Sequence, residues 1–253
     1  MSQASPRIAI GPDGRFSFGG ENFVITVPVK ERRLSTSEAF TIAKSEPYLR
    51  VYEDLASAFS PRSILELGIF EGGSYVLLDK LFQPRRMSAV DISRDPVEPL
   101  RHYVANKEGR FVHVSTSQSD GDALEHIIRN ELANELDLVV DDASHTYDQT
   151  KACFEILFPL LQPGGIYAIE DWSWAHMPQY QSPDASFSKQ YALSNLLFEQ
   201  IMLMGSTSLI SEIRVWTFLY LIRKAKTAFS GSKGKSGSIF DQILSRGKKW
   251  DLI

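Results

Sequence analysis

Residues 64–92 read ILELGIFEGGSYVLLDKLFQPRRMSAVDI. An apolar run leads into a glycine-containing loop, a helical apolar pattern follows over 73–82, and a second apolar run ends the stretch. A strand, a crossover helix and a second strand in this order form a parallel pair with the helix packed on the sheet. The stretch therefore predicts the first unit of an α/β fold.

The same alternation continues to residue 171. The strand patterns are continuous apolar runs, as expected where helices cover both faces of a sheet. We therefore predict a Rossmann-like, doubly wound, mostly parallel seven-stranded sheet whose last strand is antiparallel. The further elements predicted are helices at 95–106, 121–132, 146–161 and 191–204, and strands at 110–116, 137–142, 165–171, 208–215 and 218–224.

A small extension is predicted before this domain. Apolar runs on either side of the turn Gly11-Pro12-Asp13-Gly14, and a third run after Gly19-Gly20, predict a hairpin over 7–28. Apolar spacing over 35–59 predicts a helix capped by Ser35 or Thr36 and broken at Pro47. The domains predicted are an N-terminal hairpin and helical extension (1–44), the α/β domain (45–227), and a basic, mobile C-terminal tail (228–253).

Composition excludes several classes of protein. The chain has 253 residues with 43% hydrophobic and 23% charged residues, which is ordinary for a soluble domain. Its net charge of −4 does not indicate nucleic-acid binding, which is typical of basic proteins. The single cysteine, Cys153, lies in an apolar helical pattern, which predicts a core thiol and a reducing compartment. With no signal-peptide pattern and no apolar run long enough to span a bilayer, we expect a cytoplasmic protein without a transmembrane segment. We also expect a homo-oligomer.

Acidic residues follow two of the predicted strands. The motif LVVDDASH ends one strand, and PGGIYAIED ends the next. Carboxyl ends of parallel strands meet at one edge of a sheet, so these side chains should share a pocket. Clustered carboxylates repel one another unless a cation or a proton lies among them. The set predicts a hard divalent metal beside a general base, and it comprises Asp141, Asp142, His145, Glu170 and Asp171.

The loop after the first strand predicts a ligand pocket at the same edge. Its glycines allow close approach of a ligand, and the following helix offers free N–H groups. The spacing G-x-x-x-G-G differs from the dinucleotide pattern, and Glu71 in the loop disfavours a pyrophosphate and favours a ligand with a positive centre. The loop residues expected to contact the ligand are Gly68, Gly72, Gly73 and Ser74.

Three further residues complete this predicted pocket. Asp91 ends the second strand, where an acid accepts hydrogen bonds from a ribose diol. Gln118 and Asp120 follow the third strand, where polar side chains would form hydrogen bonds with the edge of an adenine base. The alternative is a tight turn, a chance strand-end acid and a plain polar loop.

Four motifs of the sequence resemble those of a known family. The motifs ILELGIFEGGS, AVDIS, VVDDASH and FPLLQPGGIYAIED together resemble class I S-adenosylmethionine-dependent methyltransferases. More narrowly, they resemble the metal-dependent sugar O-methyltransferases of the macrocin and mycinamicin type, over about residues 45–175. The resemblance implies that Asp142, Glu170 and Asp171 hold Mg²⁺ and that His145 is the general base. It also implies cofactor contacts from Glu66, Gly68, Asp91 and Asp141.

The resemblance implies methyl transfer from S-adenosylmethionine to a sugar hydroxyl of a glycosylated natural product, such as an antibiotic, or of a surface glycan. A metal ion can stabilise the developing alkoxide, and an imidazole can accept the proton near neutral pH. Two other functions stay open, namely methylation of a catechol-like hydroxyl and non-catalytic binding of S-adenosylmethionine by an assembly protein.

Several residues also have purely structural interpretations. Asp142 or Ser144 could simply cap the helix that follows them. Tyr48 and Tyr52 could line the cleft or pack in the core, and the aromatic stretch 172–191 could be a substrate-covering lid or packed surface.

Overall fold

The computed structural model describes residues 7–27, 33–95, 97–185, 187–227 and 238–243. These residues form two sheets and six α-helices. The strands are β1 (Arg15–Phe18), β2 (Glu21–Ile25), β3 (Phe40–Ile42), β4 (Ser63–Leu67), β5 (Arg86–Val90), β6 (Arg110–His113), β7 (Leu136–Asp141), β8 (Leu161–Glu170), β9 (Ile210–Val215) and β10 (Leu219–Lys224). The helices are α1 (Glu46–Ala58), α2 (Gly73–Phe82), α3 (Glu98–Ala105), α4 (Gly121–Asn130), α5 (Tyr147–Leu160) and α6 (Ser194–Ser206).

The larger sheet has seven strands in the order β6-β5-β4-β7-β8-β10-β9. Strands β4 to β8 pair in parallel, whereas β10 pairs antiparallel with both β8 and β9. The predicted fold class, with its antiparallel last strand, is therefore confirmed. The strand order reverses between β4 and β7, and this switch point opens a crevice at the carboxyl ends of the strands.

Both faces of this sheet are covered. Alternate residues of the central strands enter two different apolar clusters, which explains why these strands read as continuous apolar runs. Ile64 and Leu138 pack with α1, α2 and α3 on one face. Leu65 and Val139 pack with α4, α5 and α6 on the other. Cys153 is fully buried in the second cluster, as its sequence context predicted.

The N-terminal extension differs from its prediction. The hairpin β1–β2 is present, but residues 7–10 form no strand. The first half of the helix predicted over 35–59 is wrong, because β3 lies there and pairs in parallel with β2, whereas the second half is confirmed as α1. Aromatic and β-branched residues such as Phe40 and Ile42 favour a strand once a partner strand is available. Pro47 does not break a helix, because it lies in the first turn of α1, where its missing N–H costs nothing.

Most of the predicted mobile tail lies outside the described residues. Residues 238–243 are an exception, since Phe240 is buried against Phe154 of α5. This part of the tail therefore packs on the domain. Within the described part of the chain, no helix is both long and apolar enough to cross a membrane.

Candidate active site

A cleft of about 760 Å³ lies at the carboxyl ends of β4, β5 and β7. The sheet places it there because the connections from β4 and β7 leave in opposite directions. Apolar side chains, including Phe70, Ile92 and Trp174, form part of its lining. The predicted site residues that line the cleft are Gly68, Asp91, Gln118, Asp142, His145 and Asp171.

Gly68 brings two loops into contact beneath the cleft. Its φ of 90° is in the region that favours glycine, and a Cβ there would collide with the carbonyl oxygen of Asp142. The N–H of Asp142 donates to the carbonyl oxygen of Leu67 at 2.9 Å. The loop after β4 and the loop after β7 therefore lie side by side, which joins the predicted cofactor pocket to the acidic cluster.

Asp91 has a fixed orientation in the cleft. One carboxylate oxygen accepts the backbone N–H groups of Ile69 at 2.7 Å and Phe70 at 3.3 Å. The other accepts the N–H of Ser93 at 2.7 Å. Each carboxylate oxygen can accept more than one hydrogen bond, so Asp91 can still accept from a ligand hydroxyl.

Glu71 belongs to the glycine loop but does not line the cleft. Its side chain is buried and accepts the N–H of Ser35 at 3.0 Å, and the Ser35 hydroxyl donates to the Glu71 carbonyl oxygen at 2.6 Å. Gly73 also faces the extension, since a Cβ there would collide with the carbonyl oxygen of Thr41. Glu71 binds the N-terminal segment through hydrogen bonds, and Gly73 allows that segment to approach closely. The spacing of residues in the sequence could not reveal these contacts.

Seven predicted residues do not line the cleft. Asp120 caps α4 by accepting the N–H of Ala123 at 3.1 Å, and its contact with an adenine stays a prediction. The others are Glu66, Gly72, Gly73, Ser74, Asp141 and Glu170. For Glu66, burial raises the pKa to about 8, against the opposing charge of Lys44.

Asp141 acts beneath the cleft surface. It accepts Gln118 Nε2 at 3.2 Å and the Tyr167 hydroxyl at 3.1 Å, and burial raises its pKa to about 7. Gln118 in turn accepts the N–H of Ser144 at 3.0 Å through Oε1. Asp141 therefore orients Gln118, which lines the cleft, whereas Asp141 itself does not line it, and its contact with the cofactor stays a prediction.

A lysine lies inside the acidic cluster. Lys44, two residues after β3, places Nζ 2.6 Å from Asp142 Oδ2 and 2.6 Å from Glu170 Oε2. Burial alone would lower the pKa of Lys44, but the two carboxylates raise it above its usual value. The sequence predicted that a cation lies among the acids. It did not identify Lys44 as that cation, because a single lysine between a strand and a helix belongs to no recognisable motif.

Two tyrosines of α1 bind the remaining acid oxygens. The Tyr48 hydroxyl donates to Asp171 Oδ1, and the Tyr52 hydroxyl donates to Glu170 Oε1. For Glu170, burial and the neighbouring Asp142 raise the pKa to about 8. Of the two predicted alternatives, core packing is confirmed, because Tyr52 lies in the core cluster and Tyr48 packs against it. Their hydroxyls also hold the acids in place.

His145 lies between the two acids that line the cleft. Its Nε2 is 3.9 Å from Asp142 Oδ1 and 3.9 Å from Asp171 Oδ2. The ring of Trp174 packs against it with 4.4 Å between ring centroids. Tyr180 stacks on Trp174 and Phe187 packs edge-on against it, so this part of the aromatic stretch forms one cluster beside His145.

The donor atoms suit a divalent cation. Asp142, His145 and Asp171 each offer one ligand atom, and these atoms lie within 4.8 Å of one another. Two carboxylate oxygens with open space beside them suit Mg²⁺ or Mn²⁺. Glu170 is not in this group, because its oxygens contact Lys44 and Tyr52.

The central part of the chain matches a known family. Residues 65–172 match the family model described as a methyltransferase domain. The chain is 29% identical over 143 residues to an 8-demethyl-8-alpha-L-rhamnosyl tetracenomycin-C 2'-O-methyltransferase of Streptomyces olivaceus, covering 53% of this chain and 35% of that protein. It is 30% identical over 125 residues to the mycinamicin VI 2''-O-methyltransferase of Micromonospora griseorubida, covering 46% and 29%.

A third relative is a rhamnosyl O-methyltransferase of Mycobacterium tuberculosis, with 27% identity over 126 residues that cover 47% of this chain and 49% of that protein. The matches thus cover less than half the length of each relative.

Two solved structures share the fold. The MycE methyltransferase from the mycinamycin biosynthetic pathway, in complex with Mg and SAH, aligns with a TM-score of 0.51 at 25% identity, covering 71% of this chain and 48% of that one. The O-methyltransferase TomG from Streptomyces achromogenes, in complex with SAM, aligns with a TM-score of 0.53 at 21% identity, covering 72% and 82%.

Proposed function

We propose that this chain, whose residues 65–172 carry a methyltransferase domain, transfers a methyl group from S-adenosylmethionine to a sugar hydroxyl of a glycosylated small molecule. The observation that carries the proposal is that one cleft contains two sets of residues. Gly68 and Asp91 form one set, and Asp142, His145 and Asp171 form the other. The names of the curated relatives, which specify rhamnosyl and mycinamicin acceptors, support a sugar.

The cofactor side would bind S-adenosylmethionine through an oriented carboxylate and through apolar side chains. The oriented carboxylate of Asp91 would accept hydrogen bonds from the ribose hydroxyls. The exposed apolar side chains of Phe70 and Ile92 would cover flat parts of the ligand. Asp141 would contribute by holding Gln118 in the cleft wall.

The acceptor side would deprotonate the sugar hydroxyl. His145 Nε2 would take the proton, since it lies at the cleft surface between two acids. Asp142 and Asp171 would hold a divalent ion, and Trp174 would exclude water beside the imidazole. When bound, S-adenosylmethionine supplies an electrophilic methyl group and the ion stabilises negative charge on the acceptor oxygen.

Calorimetry with S-adenosylhomocysteine tests the cofactor side. We expect the wild type to bind it, and we expect Asp91→Ala to weaken binding by at least about tenfold, because it loses charge-assisted hydrogen bonds. Asp122→Ala is the matched control, since Asp122 lies in the first turn of α4 outside the cleft lining, and it should leave binding unchanged. A wild type that does not bind would contradict the methyltransferase proposal.

Methyl transfer to a panel of α-L-rhamnosides and catechols tests the acceptor. We expect turnover with the rhamnosides, and we expect a chelator to abolish it and Mg²⁺ to restore it. Turnover restricted to catechols would overturn the sugar proposal. Turnover that a chelator leaves unchanged would remove the role of the metal.

A further inference from the structure

Lys44 places a permanent cation beside the predicted metal site. Its side chain is only 3% exposed and it does not line the cleft, so it cannot contact the acceptor. Its Nζ bridges Asp142 Oδ2 and Glu170 Oε2 at 2.6 Å each. Lys44 can therefore affect the reaction only indirectly, through these two carboxylates and through its charge.

The three acids differ in how many oxygens the protein already binds. Both oxygens of Glu170 are engaged, one by Lys44 and the other by Tyr52. Asp142 and Asp171 each have one oxygen engaged, by Lys44 and Tyr48 respectively. The second oxygen of each of these two lies 3.9 Å from His145 Nε2, on the side of the cleft.

We propose that Lys44 is a positioning residue that holds Glu170 out of the metal site, so that, of these three acids, Asp142 and Asp171 bind the divalent ion and Glu170 does not. The proposal rests on the metal site of the proposed function. An ammonium bound to Glu170 occupies the oxygen that a metal would need, and its charge also repels a second cation at short range. Lys44 therefore lowers the affinity of the site and determines which acids form it.

Binding of Mn²⁺ to the full chain, followed by electron paramagnetic resonance, tests this arrangement without any turnover. We expect Lys44→Met to bind Mn²⁺ at least about tenfold more tightly, because Glu170 is released and a nearby positive charge is lost. Glu170→Gln in the wild type should change the affinity by less than about threefold, whereas Asp171→Asn should weaken it by more than about tenfold.

The double variant Lys44→Met/Glu170→Gln completes the cycle. It should return to within about threefold of the wild-type affinity, because it lacks the acid that Lys44→Met released. Lys44→Arg, which keeps the charge, should also stay near the wild type. Lys151→Met is the matched control, since Lys151 is a partly buried lysine paired with Glu199 away from the cleft, and it should leave Mn²⁺ affinity unchanged.

Two results would overturn the proposal. The first is a loss of affinity in Glu170→Gln as large as that in Asp171→Asn, which would make Glu170 a ligand. The second is a folded Lys44→Met whose Mn²⁺ binding is unchanged or weaker, which includes the case that no variant binds Mn²⁺. If Lys44→Met does not fold, the comparison of Glu170→Gln with Asp171→Asn still decides the matter.

Calorimetry with S-adenosylhomocysteine on the same samples separates this inference from the proposed function. Absence of cofactor binding together with the expected Mn²⁺ results would refute the methyltransferase proposal and leave the role of Lys44 intact. Normal cofactor binding together with either overturning Mn²⁺ result would refute only the role of Lys44.

Discussion

His145 and Asp171 share an unusual backbone conformation. Their φ angles are 55° and 56°, in the left-handed region that side chains other than glycine and asparagine seldom adopt. The N–H of Asp171 donates to the carbonyl oxygen of Phe218 at 2.7 Å, which anchors the end of β8 against the residues before β10. Such conformations persist where the surrounding structure holds them, often at functional sites.

Replacement of His145 by asparagine isolates the role of the imidazole. Asparagine tolerates the left-handed conformation, so His145→Asn should fold normally. We expect methyl transfer to fall by about a hundredfold to ten-thousandfold, because the general base is lost. Binding of S-adenosylhomocysteine and of Mn²⁺ should stay near the wild-type values.

The exposed residue His126 offers the matched control, because His126→Asn lies on the surface of α4 and should leave the rate unchanged. A parallel loss of Mn²⁺ binding in His145→Asn would make His145 a metal ligand, since one nitrogen lone pair cannot both bind a metal and accept a proton.

Local motifs predicted the site residues that lie at strand ends, but they missed those that distant segments of the chain bring to the site. Asp142 and His145 belong to one short motif at a strand end, so their meeting with Asp171 follows from parallel pairing alone. Lys44 approaches the same acids from a segment about a hundred residues earlier. No local pattern reports such a contact, because only packing of the extension creates it.

At the scale of elements, the N-terminal sheet acts as a support for the glycine loop. The hydroxyl of Ser35 donates to the Glu71 carbonyl oxygen at 2.6 Å and accepts the N–H of Thr41 at 2.8 Å. Strand β3 thus lies against the start of α2, and the chain that follows it delivers Lys44 to the acids. A helix over these residues, as the apolar spacing predicted, could not make the parallel pairing with β2.

Removal of the Ser35 hydroxyl tests this support. We expect Ser35→Ala to lower the free energy of unfolding by about 1–3 kcal/mol, because two buried hydrogen bonds are lost. Urea denaturation measures the effect. Ser17→Ala is the control in the same sheet, since the Ser17 hydroxyl donates to the side chain of the exposed Asn22 at 2.7 Å, and its loss should cost less than about 0.5 kcal/mol. Equal losses of unfolding free energy in Ser35→Ala and Ser17→Ala would contradict the proposal that the N-terminal sheet supports the glycine loop.

At the scale of the whole molecule, buried acids should make stability depend on pH. Glu66 is fully buried, and burial raises its pKa from 4.5 to about 8. Between these values the unfolded chain releases the proton while the folded chain retains it. Stability therefore falls as pH rises through this window, by up to about 1.4 kcal/mol per pH unit from this group.

Glu66→Gln should remove this contribution, because glutamine is neutral at every pH. We expect the difference in unfolding free energy, variant minus wild type, to grow as pH rises from about 5 to about 7. Urea denaturation at several pH values measures it. Parallel curves for the two proteins would show that Glu66 is ionised in the folded state.

The sequence by itself determined the α/β alternation, the parallel sheet and the strand-end acids, because apolar periodicity and short motifs act over neighbouring residues. It also placed Asp91, Asp142, His145 and Asp171 at one edge of the sheet. Only the tertiary structure decided that β3 is a strand, that Glu71 faces the extension and that Lys44 lies among the acids. These features depend on contacts between segments far apart in the chain, and such contacts leave no local periodicity to detect.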